Sequence, residues 1–224
     1  MSRVAVVGGH GQVARQLHPL LVEAGHTPVA LVRKEEQRPE LEAAGAEVRL
    51  LDIENQHADG FAEVFAGCDA VVFAAGGGPD GNIDRKRTVD LEGSLKSIAA
   101  AQTTGIRRFV QVSAIGVDNE LPDDTQEVWR AYVEAKRGAD RALRESDLDW
   151  TILRPGGLTD DPATGSVLLA EEVERGTIPR ADVAAVIVAV LDDERAVRKQ
   201  WELVGGDVPV ADAVTRAVEG AGRG

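Results

Sequence analysis

Apolar positions along this chain alternate between two periods. Short runs dominated by Val, Ile, Leu, Ala and Phe occur at Val4–Val7, Val29–Val32, Val48–Leu51, Ala70–Ala74, Arg108–Val112 and Thr151–Leu153. Runs this short and this apolar predict strands buried on both faces. Between them lie longer segments with apolar residues three and four apart. Gln12–Ala24 puts Val13, Leu17, Leu20 and Leu21 on one face and stops at Gly25. Similar spacing predicts helices over Arg38–Ala44, Gly60–Phe65, Ile83–Thr104 and Gln126–Glu145, with Gly45, Gly67 and Gly105 as C-terminal caps. Strands and helices in alternation, joined by short connections, predict an α/β fold: a doubly wound parallel sheet with helices on both faces.

The pattern changes after Pro155. Residues 156–180 are rich in Gly, Pro and Asp and hold one strand candidate, Val167–Ala170. A helix is then predicted over Ala181–Leu191, a strand at Trp201–Val204 and a short helix at Val210–Val218. The expectation is one domain over 1–224, with 156–180 and 200–220 forming a reduced C-terminal substrate side. The final "GAGRG" is expected to fray.

Composition narrows the class. Of 224 residues, 43% are hydrophobic and 28% charged, as in soluble globular proteins. The apolar run Val183–Leu191 is far too short to cross a bilayer. Met1 and Ser2 lead directly into "RVAVVGG", without a signal-peptide pattern. A single cysteine, Cys68, excludes an intramolecular disulfide and fits a reducing cytoplasm. His10, His18, His26 and His57 show no metal-ligand spacing, so no metal is expected. A net charge of −13 argues against nucleic acid and anionic membranes as partners. It also means that an anionic cofactor needs local help from helix N-termini and placed arginines. Nothing in the pattern fixes an oligomeric state.

The strongest candidate chemistry begins at "VAVVGGHGQVAR". Gly8, Gly11 and Ala14 stand at G-x-x-G-x-x-A spacing between the first strand and a helix opening at Gln12 and Val13. Glycines permit the tight turn and let backbone approach a pyrophosphate, which the helix N-terminus then holds. A turn without ligand has the same composition, but this one is the first strand–helix connection of an alternating chain, where a dinucleotide site belongs. At the end of the second strand an acid would serve NAD and a cation the 2′-phosphate of NADP. Arg33 and Lys34 occupy that place, so NADP(H) is expected over NAD(H). Asp52 and Ile53 end the third strand; Asp52 suits either an adenine amino group or a turn cap. Ala74, Ala75 and Gly76 end the fourth and allow a cofactor close to the backbone.

"VWRAYVEAKRGADRAL" (Val128–Leu143) holds the chain's one tyrosine, Tyr132, four residues before Lys136. At that spacing both stand on one helix face. They are either a half-buried core tyrosine with a snorkelling lysine, or a proton donor beside a cation that lowers its pKa. Val128, Tyr132, Ala135, Ala139 and Ala142 make an apolar stripe with unusually small members, which suits close approach by another body.

With "GGHGQVA", "LVRK", "LLDIE", "FAAG", "VSAIG", "YVEAK", "LRPGGLT" and "RADVA" in order, the chain resembles the short-chain dehydrogenase/reductase superfamily, in its atypical NAD(P)H-binding, epimerase/dehydratase-like branch. The resemblance covers nearly the whole chain. It implies a Rossmann core and places Ser113, Tyr132 and Lys136 in the catalytic positions. Tyr132 would then meet a substrate oxygen, Lys136 the nicotinamide ribose, and Ser113 would donate a second hydrogen bond. Asp90 stands where extended members carry Asn. Pro155, Gly156 and Leu158 fall on the segment lining the nicotinamide pocket, and "RADVA" on a structural helix start.

The expected function is NADP(H)-dependent oxidation or reduction of a small carbonyl or alcohol, or epimerase or dehydratase chemistry with the same groups. The alternative is a weakly catalytic NADP(H)-binding sensor, motivated by Asp90 and the short C-terminal region. Arg85, Lys86 and Arg87 read as a solvated basic cluster near the site mouth, with attraction of an anionic substrate as the alternative; Glu171, Glu172 and Glu174 read as a solvated charge run, and Cys68 as a buried small residue.

Overall fold

The computed structural model describes residues 1–78 and 81–220. In chain order the strands are β1 (Arg3–Val7), β2 (Thr27–Val32), β3 (Glu47–Leu50), β4 (Ala70–Phe73), β5 (Arg108–Val112), β6 (Asp149–Pro155), β7 (Gly157–Thr159), β8 (Ser166–Ala170), β9 (Thr177–Pro179), β10 (Lys199–Gly205) and β11 (Val208–Pro209). The helices are α1 (Gln12–Glu23), α2 (Arg38–Ala43), α3 (Ala58–Phe65), α4 (Ile83–Arg85), α5 (Glu92–Thr104), α6 (Glu127–Glu145), α7 (Arg180–Leu191) and α8 (Val210–Val218).

Nine strands form one sheet in the order β11-β8-β10-β6-β5-β4-β1-β2-β3. From β3 across to β10 every pairing is parallel; β8 and β11 close that edge antiparallel. The chain runs outward from β1 to β3 and then returns to place β4 on the other side of β1. This reversal opens a crevice at the C-terminal strand ends, where α/β sheets bind ligands.

The uninterrupted apolar strands follow from two cores. Alternate residues of a strand point to opposite faces. Val4 and Val6 of β1 join Leu17, Leu21, Val183 and Ile187 of α1 and α7 on one face. Ala5 and Val7 join Phe61, Phe65, Ile98 and Leu143 of α3, α5 and α6 on the other. A polar residue at any of these positions would be buried on one side or the other.

Three features depart from the sequence expectation. The helix expected over Ile83–Thr104 is interrupted by a π-helical stretch at Lys86–Leu91, between α4 and α5. This wide turn buries Lys86, Val89 and Asp90. The Gly-rich stretch also forms a small parallel pair, β7 with β9, and β8 and β11 run against the main direction. The expected terminal fray falls largely on 221–224, outside the described residues. Among the described residues, no helix is long and apolar enough to cross a membrane.

Candidate active site

The glycine-rich turn after β1 is shaped by backbone proximity. Gly8 has φ +80°, and a Cβ there would lie 2.7 Å from Ala75 Cα at the end of β4. Only glycine satisfies both constraints. The Gly11 N–H donates to Gly8 O at 2.8 Å, and α1 begins at Gln12 with no side-chain cap on its first turn. Those N–H groups and the positive helix end fit a pyrophosphate. From inside α1, His18 Nε2 donates to Gly9 O at 2.7 Å. Burial holds the His18 imidazole below its ordinary pKa, although the Gly9 bond acts the other way.

Beside the turn is a pocket of about 240 Å³, lined by Gly8, Arg33, Lys34, Asp52, Ile53 and the strand-end residues Ala74, Ala75 and Gly76. Arg33 lies half exposed, with its guanidinium 3.4 Å from Glu54. The Asp52 carboxylate closes its own turn: Oδ1 accepts from the N–H groups of Glu54 and Asn55, and Oδ2 from the Asn55 amide. Of the two roles open to Asp52, the structure displays the turn cap, with the side chain still on the pocket wall.

Next to it lies a larger cleft of about 1000 Å³, which shares His10, Gly11, Ala74, Ala75 and Gly76 with the first. Gln12, Val13, Asp90, Ser113, Tyr132, Lys136, Pro155, Gly156 and Leu158 all line it. Every site residue expected from sequence therefore lines one of two adjoining spaces at the C-terminal strand ends. Gly156 is held without a side chain because a Cβ would collide with Gly176 O, which packs the start of β7 against the segment before β9.

The bonding inside the cleft differs from expectation. Lys136 is buried. Its Nζ lies 3.2 Å from Asp90 Oδ1 and donates to Val112 O at 3.1 Å. Asp90, with no exposed surface, accepts the Gly77 N–H at 2.8 Å through its other oxygen. Burial works against the Lys136 ammonium, but Asp90 and the other acidic groups around it hold its pKa above the ordinary value. The Tyr132 phenol is pushed up rather than down: burial dominates, Lys136 pulls the other way, and Asp90 and Asp140 add to the rise. A lysine whose charge is matched by a carboxylate does little to acidify a phenol.

Ser113 also has a partner that the sequence reading did not foresee. Its hydroxyl donates to Asp140 Oδ2 at 2.8 Å. Asp140 further accepts from Gln111 at 2.7 Å and from Arg154 Nε at 2.9 Å, and Arg154 reaches on to Asp118 at 2.8 Å. Burial raises the Asp140 pKa, while Arg154 and the three donors oppose it. With its proton committed to Asp140, Ser113 Oγ offers the cleft a lone pair.

The small stripe of α6 has a structural partner. A Cβ on Gly138 would lie 3.0 Å from Leu91 Cδ1, so the body that approaches this face is the π-helical stretch. Only the N-terminal half of the stripe, with Val128 and Tyr132, reaches the cleft.

Sequence reasoning missed several lining residues. Lys86 is not solvated but 6% exposed; it donates to Gly78 O, and its Nζ sits 5.8 Å from the Tyr132 ring centroid. Trp129 stacks on Tyr132 with centroids 5.2 Å apart. Arg175 lines the same cleft. Asp140 had a legible signal, because Tyr132, Lys136 and Asp140 follow at four-residue steps along one helix face. Lys86 had none: three cations in a row look solvated until the wide turn rotates one inward. Arg87 stays outside, paired with Glu92, and Glu171, Glu172 and Glu174 are exposed as expected.

The model of a family described as NAD(P)H-binding matches residues 8–194. The chain belongs to that family. Over 215 residues it is 40% identical to the Bacillus subtilis protein named uncharacterized sugar epimerase YhfK, covering 96% of this chain and 99% of that one. Among solved structures, a Bacillus halodurans protein provisionally named an NAD-dependent epimerase/dehydratase superposes with TM-score 0.90 at 42% identity, covering 96% of this chain and all of the other. The oxidoreductase ylbE of Lactococcus lactis superposes with TM-score 0.85 at 26% identity, covering 97% of each chain. Membership of the NAD(P)H-binding family agrees with the atypical short-chain dehydrogenase/reductase resemblance in the motifs, and with a Rossmann-like, mostly parallel sheet.

Proposed function

We propose that this protein is an NADP(H)-dependent oxidoreductase that moves a hydride to or from a small carbonyl or alcohol. The observation that carries this reading is the placement of Tyr132, Lys136, Ser113 and Asp90 on a cleft continuous with the Arg33–Lys34 pocket. When bound, the nicotinamide supplies or accepts the hydride. The α1 N-terminus and glycine turn hold the pyrophosphate, and Arg33 and Lys34 face the 2′-phosphate. Ala74, Ala75 and Gly76 leave room along the backbone, and Pro155, Gly156 and Leu158 wall the nicotinamide end. In the reducing direction the Tyr132 hydroxyl gives its proton to the substrate oxygen as charge develops there. Lys136, its charge offset by Asp90, stands 5.9 Å from the Tyr132 ring centroid and would reach the nicotinamide ribose when the cofactor is bound. Epimerase or dehydratase chemistry by transient oxidation uses the same groups. The substrate is a small molecule; the charge of −13 disfavours nucleic acid and anionic membranes. A buried lone Cys68 suits a reducing cytoplasm.

The test is NADPH titration, followed by a carbonyl panel on wild type and Tyr132→Phe. Turnover should fall by about 10²–10⁴ in the variant, with NADPH affinity unchanged. A variant with wild-type turnover removes Tyr132 from the reaction.

A second reading, a sensor that binds NADP(H) with little turnover, is favoured by the Asp90–Lys136 pair and the raised Tyr132 pKa. It requires distinct affinities for NADP⁺ and NADPH and no NADPH consumption across the panel.

A further inference from the structure

Lys86 is a nearly buried cation with no counter-ion among the described residues. Its ammonium carries three donors, and the contact the structure gives it is the Gly78 carbonyl. Among the described residues it forms no ion pair, although Lys136, at 5.9 Å from the same Tyr132 ring centroid, has Asp90. Burying an ammonium with neither a carboxylate nor a full set of acceptors is costly. Such a group is retained where an anion completes it.

The rest of the cleft points the same way. Lys86, Lys136, Arg175 and Arg180 line it, and Asp90 is its one carboxylate among the described residues. Asp90 offsets Lys136, and Asp160 pairs with Arg180 at 2.8 Å. Arg175 forms no ion pair among the described residues; its guanidinium stands beside Gly116, in the loop that follows Ser113. Among the described residues, then, one nearly buried cation, Lys86, and one exposed cation on the cleft wall, Arg175, have no ion-pair partner in a protein with net charge −13. Trp129, 44% exposed on the same wall, adds a flat apolar surface beside Tyr132.

We propose that the cleft takes a substrate bearing an oxyanion, a carboxylate or a phosphate, held by Lys86 and Arg175, on an aromatic body that lies against Trp129. The proposal rests on the oxidoreductase reading and adds the class of substrate to it. Local positive charge in an acidic protein also attracts such a molecule from solution. No group outside the chain is needed to balance the reaction beyond the nicotinamide already invoked, because the oxyanion does not react.

Three matched probes test it: acetophenone, 4-acetylbenzoate and 4-acetylphenyl phosphate. Each is titrated into the NADPH-loaded protein, with tryptophan fluorescence reporting binding and NADPH absorbance reporting turnover. At least one anionic probe should bind about tenfold or more tighter than acetophenone, and the two anions together distinguish carboxylate from phosphate recognition. The preference should shrink toward unity in Lys86→Gln and Arg175→Gln, survive in Lys86→Arg, and weaken with salt. Equal binding of neutral and charged probes overturns the proposal, as does a preference that persists in both Gln variants. No binding by either anion overturns it as well. If Lys86→Gln instead weakens NADPH and leaves the anion preference intact, Lys86 serves the cofactor and the proposal fails. NADPH titration of the unliganded protein is scored separately: its failure removes the oxidoreductase reading, whereas NADPH binding with consumption of acetophenone alone removes only the oxyanion.

Discussion

Lys136 Nζ stands 3.2 Å from Asp90 Oδ1, both side chains all but sealed from solvent. The pair joins α6 to the π-helical stretch and places one negative charge against the cation that would otherwise acidify Tyr132. The strand-end loop is tied in as well, since Asp90 accepts from Gly77. Asp at position 90, where the extended members of the superfamily it resembles carry Asn, thus sets a negative charge beside Lys136.

Asp90→Asn should expose that difference. The amide still accepts from Gly77, but the counter-charge is gone. Tyr132, which Asp90 helps to push up, should titrate lower, and the basic limb of a kcat/KM profile for carbonyl reduction should move to lower pH. Leaving Lys136 buried and unpaired should cost about 3–5 kcal/mol of stability. A profile superimposable on wild type would mean that Asp90 does not tune the phenol.

Ser113 yields a contrasting expectation. Its proton is committed to Asp140, so it polarises a substrate carbonyl weakly. Ser113→Ala should reduce turnover by less than about tenfold, against roughly 10²–10³ for loss of a true oxyanion donor. Asp140→Asn should cost about 3 kcal/mol in urea denaturation, because Arg154 loses its buried partner. A hundredfold loss of turnover in a well-folded Ser113→Ala protein would show that the hydroxyl swings from Asp140 to the substrate.

What the sequence revealed and what it hid have separate physical causes. β1, the Gly8 turn and α1 were legible because a two-faced strand, a tight turn and an amphipathic helix each leave a local period. Tyr132 and Lys136 were legible by their helical offset. The Ser113–Asp140 bond and the inward Lys86 were not, since each depends on chain segments meeting in space. The π-helical stretch that buries Lys86 shifts the helical phase, and no fixed-period reading of Ile83–Thr104 registers such a shift. The small face of α6 was legible as a close contact, but its partner at Gly138, Leu91 of the π-helical stretch, was not.

Cofactor choice is open to a direct measurement at the end of β2. Arg33→Ala with Lys34→Ala should weaken NADPH by about 10²–10⁴-fold, since charge-assisted bonds to a phosphate contribute about 1.5–3 kcal/mol each. The Arg33–Glu54 pair offsets part of that gain, which favours the lower end. NADH, lacking the 2′-phosphate, should change little. Equal weakening of both nucleotides would place these side chains on the pyrophosphate or adenine instead.

The acid side of the stability profile should carry the signature of His18. Its ring is fully buried, and its folded-state pKa lies below the ordinary 6.5. Between those two values the unfolded chain binds a proton that the folded chain does not. Stability therefore rises with pH through this window and is lost as pH falls below about 6.5. The lost contact is specific: protonation forces a second charge-bearing N–H into an apolar layer beside the Gly9 carbonyl. His18→Gln keeps a donor for Gly9 and removes the titration, so its denaturation midpoint should be flatter between pH 7 and the onset of carboxylate titration. Because Gly9 belongs to the phosphate turn, the wild-type protein should also hold NADPH more weakly as pH falls through the same window, and His18→Gln should not. Parallel slopes in the two proteins would assign the acid sensitivity to other groups.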